Sequence, residues 1–212
     1  MPAVAAAADL KFPLTEIAER FEKETGRAVR LAFGSSGNFA RQIPQGAPFE
    51  LFFSADEEYV FKLLAQGFLH DEGRLYAIGR IALFVPKGSP LTADGELKNL
   101  ADALQKGRVQ RFAIANPDHA PYGRAARAAL EHTGLWAGLQ GRLVLGENVG
   151  QAAQFASSGS AQGGIIAWSL ARSPELEKLG SAALIPESWH PPLRQRMALT
   201  RKAGDTDRKS VV

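Results

Sequence analysis

The chain has 212 residues, 45% of them hydrophobic and 22% charged, with a formal net charge of +3. That length and balance suit one large domain or two small ones with a sizeable core, and the dispersed Lys and Arg residues exclude a concentrated nucleic-acid patch. Cysteine is absent, which excludes disulfide frameworks, thiolate metal sites and Cys nucleophiles. No apolar run approaches the roughly 18 residues of a membrane span, and Met1 to Ala8 lacks the basic region of a signal peptide.

The first eight residues read as a strand. Ala8 to Phe12 then forms a loop, and Leu14, Ile17, Ala18 and Phe21 follow at helical spacing as an inward face. Pro13 suits the first helical position, and Gly26 suits the cap. A strand over 28–33 leads into a helix over 38–44, and another over 50–54 leads to a helix over 57–66 that Asp56 caps. The apolar run 77–85 reads as one long strand ending at Pro86. A helix over 97–105, a strand over 111–115, a helix over 122–133, a strand over 142–145 and a helix over 149–157 come next. Strands at 163–168, 181–185 and 193–199 complete the pattern. Alternating strands and helices argue an α/β fold with mainly parallel pairing.

Ligands of such folds sit where strand ends meet helix starts. Four loops there share one chemistry: Ala8-Asp9, Ser35-Ser36 within Phe33-Gly-Ser-Ser-Gly37, Pro121-Tyr122-Gly123, and Asn148-Val149. Gly34 and Gly37 allow close backbone approach, and the serines add hydroxyl donors. None of the loops has a Lys or Arg at its centre. Together they offer N–H and hydroxyl donors to a small ionised oxyanion, whose charge is spread over several oxygens. Each loop taken alone is equally an ordinary strand-to-helix connection.

These motifs, with Ala40-Arg-Gln-Ile43, Gln45-Gly-Ala-Pro48, Phe53-Ser-Ala-Asp56, Ala115-Asn-Pro117, Ala120-Pro-Tyr-Gly123 and Glu147-Asn-Val-Gly-Gln151, carry a resemblance. The chain resembles the molybdate-binding proteins of bacterial ABC transporters, which have the type II periplasmic-binding-protein fold. The resemblance runs in order from residue 5 to about residue 200. It implies two α/β lobes that close on one oxyanion, molybdate or tungstate. Lobe I would hold 1–81 with 184–212, and lobe II 82–183. The ligand would meet the Ala8-Asp9 loop, the Ser36 hydroxyl and N–H, and the N–H groups of Tyr122 and Val149. No cofactor and no direct cation site are implied. The partners implied are the anion and an inner-membrane permease, for a monomer working in the periplasm without nucleic acid.

The chain departs from the family pattern at several points. The loop before the first helix usually offers Ser, Thr or Asn to the anion, and here it offers Asp9. A carboxylate 4 Å from one negative charge costs roughly 4 kcal/mol at an effective dielectric near 20. Asp9 therefore turns away, is protonated, or accepts a proton that the ligand carries. A tyrosine donor of some family members falls at Ala167, and Tyr122 is the candidate to compensate. The leader expected of an exported protein is not in this chain. The polar run Arg201 to Lys209 stands where the family continues with helices packed on lobe I, which predicts a truncated end, an exposed apolar patch on that lobe and reduced stability.

Other readings fare less well. Gly34-Ser35-Ser36-Gly37 is not the Gly-x-Ser-x-Gly elbow of a hydrolase, and no nucleophile–base pair can be argued. His70 and His132 fall near helix ends, His190 precedes Pro191-Pro192 in a surface turn, and His119 lies in a candidate loop with a structural role. The aromatic residues read as core. A ligand-sensing regulator would need a helix-turn-helix, for which residues 1–12 leave no room. The competing function is a binding protein for sulfate, phosphate or a phosphonate-like anion, because fold does not fix ligand.

Overall fold

A computed structural model of the chain describes residues 1–204. The strands are β1 (Ala3–Ala7), β2 (Arg30–Gly34), β3 (Leu51–Ser54), β4 (Arg74–Gly79), β5 (Ile81–Pro86), β6 (Phe112–Ala115), β7 (Leu143–Gly146), β8 (Gly164–Ala167), β9 (Gly180–Leu184) and β10 (Leu193–Leu199). The helices are α1 (Lys11–Thr25), α2 (Ser36–Gln42), α3 (Glu57–Ala65), α4 (Lys98–Gln105), α5 (Pro121–His132), α6 (Trp136–Leu139), α7 (Val149–Ser157), α8 (Trp168–Ala171) and α9 (Pro174–Glu177). The chain divides into two compact units: Met1–Ile78 with the segment from Arg194, and Gly79–Leu193. The polar run that begins at Arg201 lies mostly outside the described residues.

The first unit is built on a mixed sheet of order β2-β1-β3-β10-β4. β1 pairs in parallel with β2 and β3, while β10 runs antiparallel to β3. β1 is Ala-Val-Ala-Ala-Ala and buried throughout, because it is covered on both faces. On one face Ala5, Phe52 and Ala198 pack with Phe39 and Ile43 of the α2 region and with Val60 and Leu63 of α3. On the other, Val4, Ala6, Leu31, Phe33, Leu51 and Phe53 gather around Leu14 of α1. Burying a side chain such as Phe52 contributes about 1.5–3 kcal/mol.

α1 differs from its expected form at both its start and its face. A 3-10 turn over Ala8–Leu10 runs into it, so Pro13 is its third residue and not its first. That position tolerates proline because first-turn N–H groups have no partner a turn behind. Of the apolar stripe only Leu14 is buried, and Ile17 is 60% exposed. The stripe borders a groove of about 780 Å³, whose lining includes Val4, Phe21, Leu31 and Leu51.

The second unit is built on a sheet of order β7-β6-β8-β5-β9. β6 pairs in parallel with β7 and β8, and β5 runs antiparallel to β8 and β9. β5, Ile-Ala-Leu-Phe-Val-Pro, is buried at every residue. The apolar run read as one strand over 77–85 is two: β4 ends at Gly79 in one sheet and β5 begins at Ile81 in the other. Arg80 marks the break, where its carbonyl accepts the Trp168 N–H at 2.9 Å. Hydrophobic continuity cannot show this, because both pieces are strands. His190 is also not a surface residue. It is buried, its Nδ1 donates to the Pro191 carbonyl at 2.8 Å, and burial holds its imidazole below the ordinary value.

Candidate anion-binding site

Each unit presents the same construction. Three parallel strands end at one edge, and each feeds a helix start. In the first unit the register pairs Ala7 of β1 with Gly34 of β2 and Ala6 with Phe53 of β3. Asp9 and Ser36, each two residues beyond a paired strand end, therefore stand at neighbouring positions, and both are buried. The two serines have separate tasks. Ser35 is the N-cap of α2, and its Oγ accepts the Asn38 N–H at 3.3 Å. The Ser36 Oγ accepts the N–H of Ala55, just past β3, at 2.9 Å. Accepting that N–H fixes the oxygen and leaves the hydroxyl its own proton to donate.

Asp9 is oriented from β10. Gln195, itself buried, donates its Nε2–H to Asp9 Oδ2 at 2.8 Å. Tyr76 of β4 donates its hydroxyl to the Ser54 carbonyl at 3.3 Å. Burial, and then the charge of Asp9, push the Tyr76 hydroxyl far above its ordinary value, so it remains a neutral donor. Arg194 and Arg196, which flank Gln195 on β10, both bind Glu57 at the start of α3, with Arg196 Nη2 3.0 Å from Glu57 Oε2. Burial raises the Glu57 carboxyl, and the two arginine hydrogen bonds outweigh it, so the group lies below the usual carboxylate range.

In the second unit the register pairs Ala115 of β6 with Gly146 of β7, and the Asn116 N–H donates to the Gly146 carbonyl at 2.8 Å. Asn116 shapes the following turn, its Oδ1 accepting the Asp118 N–H at 3.0 Å and its carbonyl the Ala120 N–H at 2.9 Å. α5 then begins with Pro121 at its first position and no side-chain cap. Proline removes a donor that the helix would not have used, and the Tyr122 N–H follows it. Gly123 is required by space: a Cβ there would lie 2.2 Å from the Ala115 carbonyl oxygen.

The start of α7 is capped reciprocally. Asn148 Oδ1 accepts the Gln151 N–H at 3.0 Å, and Gln151 Oε1 accepts the Glu147 N–H at 2.7 Å. The remaining first-turn groups, the N–H of Val149 and of Gly150, have no carbonyl a turn behind them. His119 approaches Glu147 at 3.6 Å, tying the loops before α5 and α7 together. Ala167 ends β8, and its methyl group can donate nothing.

Asp9 and Ser36 follow two neighbouring strands of the first sheet, and Tyr122 and Val149 follow two neighbouring strands of the second. The sequence missed Gln195, Tyr76 and the Ala55 N–H. Gln195 carried a faint signal: with Leu193 and Met197 it shares the parity of strand 193–199 opposite to two arginines. Among the described residues, no group of three or more His, Asp or Glu side chains could hold a metal ion.

Comparison with known proteins fits this geometry. Residues 2–209 match the model of the bacterial extracellular solute-binding proteins. The molybdate-binding protein ModA of Azotobacter vinelandii is 36% identical over 203 residues, which is 95% of this chain and 78% of that protein. This chain belongs to the molybdate-binding protein family. A second ModA, from Rhodobacter capsulatus, is 34% identical over 95% of this chain and 76% of its own length. The solved structure of the Azotobacter vinelandii periplasmic molybdate-binding protein superposes with a TM-score of 0.85, at 33% identity, over 99% of this chain and 90% of that one. The α/β architecture with two helix-flanked sheets is therefore the family's. Among the described residues, no helix is long and apolar enough to cross a membrane.

Proposed function

We propose that this chain is the substrate-binding component of a bacterial ABC importer, with molybdate as its solute and tungstate as a second ligand. The observation that carries the reading is the 36% identity to a molybdate-binding protein across 95% of the chain. The loop chemistry supports it. The hydroxyl and N–H of Ser36 and the N–H groups of Tyr122 and Val149 are neutral donors, suited to a tetrahedral dianion with four acceptor oxygens. Asp9 belongs to the same proposed contact set. The lobes of this reading are residues 1–81 with 184–212 and residues 82–183.

The activity is capture without chemistry, so the chain is not an enzyme and uses no cofactor. It works in the periplasm as a monomer and delivers the anion to a membrane permease. Selection follows from size and donor spacing. Tungstate nearly matches molybdate in size and is poorly distinguished from it. Sulfate is smaller and leaves buried donors unpaired, at about 1–3 kcal/mol for each.

Calorimetric titration with molybdate, tungstate, sulfate and phosphate tests the reading. Molybdate and tungstate are expected to bind with similar affinity, and the other two at least about tenfold more weakly. A preference for sulfate or phosphate, or no binding by a folded sample, overturns it.

A further inference from the structure

Two of the proposed donors, the N–H groups of Tyr122 and Val149, lie at the starts of different helices, α5 and α7. Each follows its own loop, so the distance between them depends on how the two loops are joined. At the strand ends the joint is main-chain, where the Asn116 N–H donates to the Gly146 carbonyl at 2.8 Å. Farther along it is a side-chain contact, with His119 Nε2 3.6 Å from Glu147 Oε2. His119 stands midway between Asn116 and Tyr122, and Glu147 stands between Gly146 and Val149. Both are anchored beside the helix they precede. The Ala120 N–H closes the turn of His119 on the Asn116 carbonyl at 2.9 Å. The Glu147 N–H donates to Oε1 of Gln151, in the first turn of α7, at 2.7 Å. The His119 side chain is 11% exposed and that of Glu147 69%, so packing fixes the imidazole and the carboxylate reaches to it.

We propose that the contact between His119 and Glu147 sets the spacing of the Tyr122 and Val149 donors, and so selects the anion by size. This rests on the proposed reading in which both N–H groups meet the oxyanion. His119 and Glu147 are positioning residues, each acting through the loop that carries it. With the loops held, a tetrahedral anion must match a fixed gap, and sulfate is too small to reach both donors at once. When the contact is cut, Asn116 and Gly146 still join the loops, so the strands keep their register. No donor is removed, but the two donors beyond that joint gain freedom to move. Molybdate then loses affinity, because the loops are no longer ordered in advance. Sulfate loses less, since it had not met both donors.

The test is calorimetric titration of micromolar molybdate and millimolar sulfate with the full chain and with His119→Ala, Glu147→Ala, the double variant and His119→Gln, each checked for folding by thermal melts. Either alanine variant is expected to weaken molybdate about fivefold and sulfate less than about twofold, which narrows the preference. The double variant should do no more than one substitution does, because both remove the same contact. His119→Gln, whose amide N–H can donate to the same carboxylate, should restore most of the preference. A merely structural role would not move this ratio, since a destabilised chain loses both anions alike. Glu147→Ala alters an exposed side chain and carries the test by itself if His119→Ala does not fold. Equal weakening of the two anions, or losses that add in the double variant, overturn the proposal while leaving molybdate binding intact. If the unaltered chain is folded and binds no molybdate, the solute reading fails and this proposal falls with it.

Discussion

The two units furnish their candidate donors by different means. In the first, a side-chain hydroxyl joins the main-chain N–H of the same residue. The Ser36 hydroxyl is held by the Ala55 N–H, beside an Asp9 that Gln195 orients. In the second, the donors are main-chain N–H groups at the starts of α5 and α7, positioned by Pro121, Gly123, Asn148 and Gln151. A side-chain donor can be deleted by truncation, but Ser36 is also part of the packing. A main-chain donor survives every side-chain change except proline. The first unit can therefore be retuned by point substitution, while the second resists it.

That contrast can be broken most forcefully at Gly123. Gly123→Ala drives a Cβ to 2.2 Å from the Ala115 carbonyl oxygen. α5 must shift, at about 3 kcal/mol of stability, and molybdate affinity should fall with it, as thermal melts and titration would show. Unchanged melting and binding would mean that the start of α5 is not fixed by this contact.

Ser36→Ala should cost about 2 kcal/mol in binding for the lost hydrogen bond to a charged ligand. It should also lower stability by about 1 kcal/mol, because the Ala55 N–H loses its acceptor. Denaturant unfolding separates the two effects. Val149→Pro is the cleaner counterpart in the second unit. Val149 opens α7, where proline is favoured, and Asn148 before it is already extended at φ −152° and ψ 173°. Binding should weaken by about 2 kcal/mol with the melting temperature held. Full affinity in this variant would remove the Val149 N–H from the donor set.

The smallest effects concern acid. Glu57 lies below its ordinary value, so its contribution is complete above about pH 5 and is lost as pH falls through the lowered folded value. Glu57→Gln should cost about 1 kcal/mol at neutral pH and flatten that loss. His190 titrates in the opposite chemical sense but with the same slope. Its folded value lies below 6.5, so the unfolded chain takes up the proton first. Stability of the second unit should begin to fall as pH drops below about 6.5, earlier than the loss that Glu57 causes in the first unit. Melting curves of His190→Phe against pH check this, and a variant with the same acid profile as the unaltered chain would refute it.

Much of the fold was legible because its signals are local. The helix over 149–157 and the strand over 193–199 are where periodicity and punctuation put them, and Asp56 and Gly26 cap as their residue types require. Legibility ended where residues distant in the chain meet. The break at Arg80 falls inside one apolar run and separates strands of two different sheets. His190 reads as a turn residue, yet packing encloses it. The stripe Leu14, Ile17, Ala18 and Phe21 reads as an inward face, yet only Leu14 is buried, because amphipathicity marks a face that can be covered and does not supply the cover.

The sequence by itself determined the alternation of elements, the helix starts that carry Ser36, Tyr122 and Val149, and the absence of cationic groups at the loop centres. Those follow from spacing, capping and composition, which act over a few residues. The tertiary structure decided which strands share a sheet, that Ser36 accepts from Ala55, and that Gln195, 186 residues away along the chain, holds Asp9. Those contacts depend on strand order and register, and no local pattern encodes which distant strand will lie alongside.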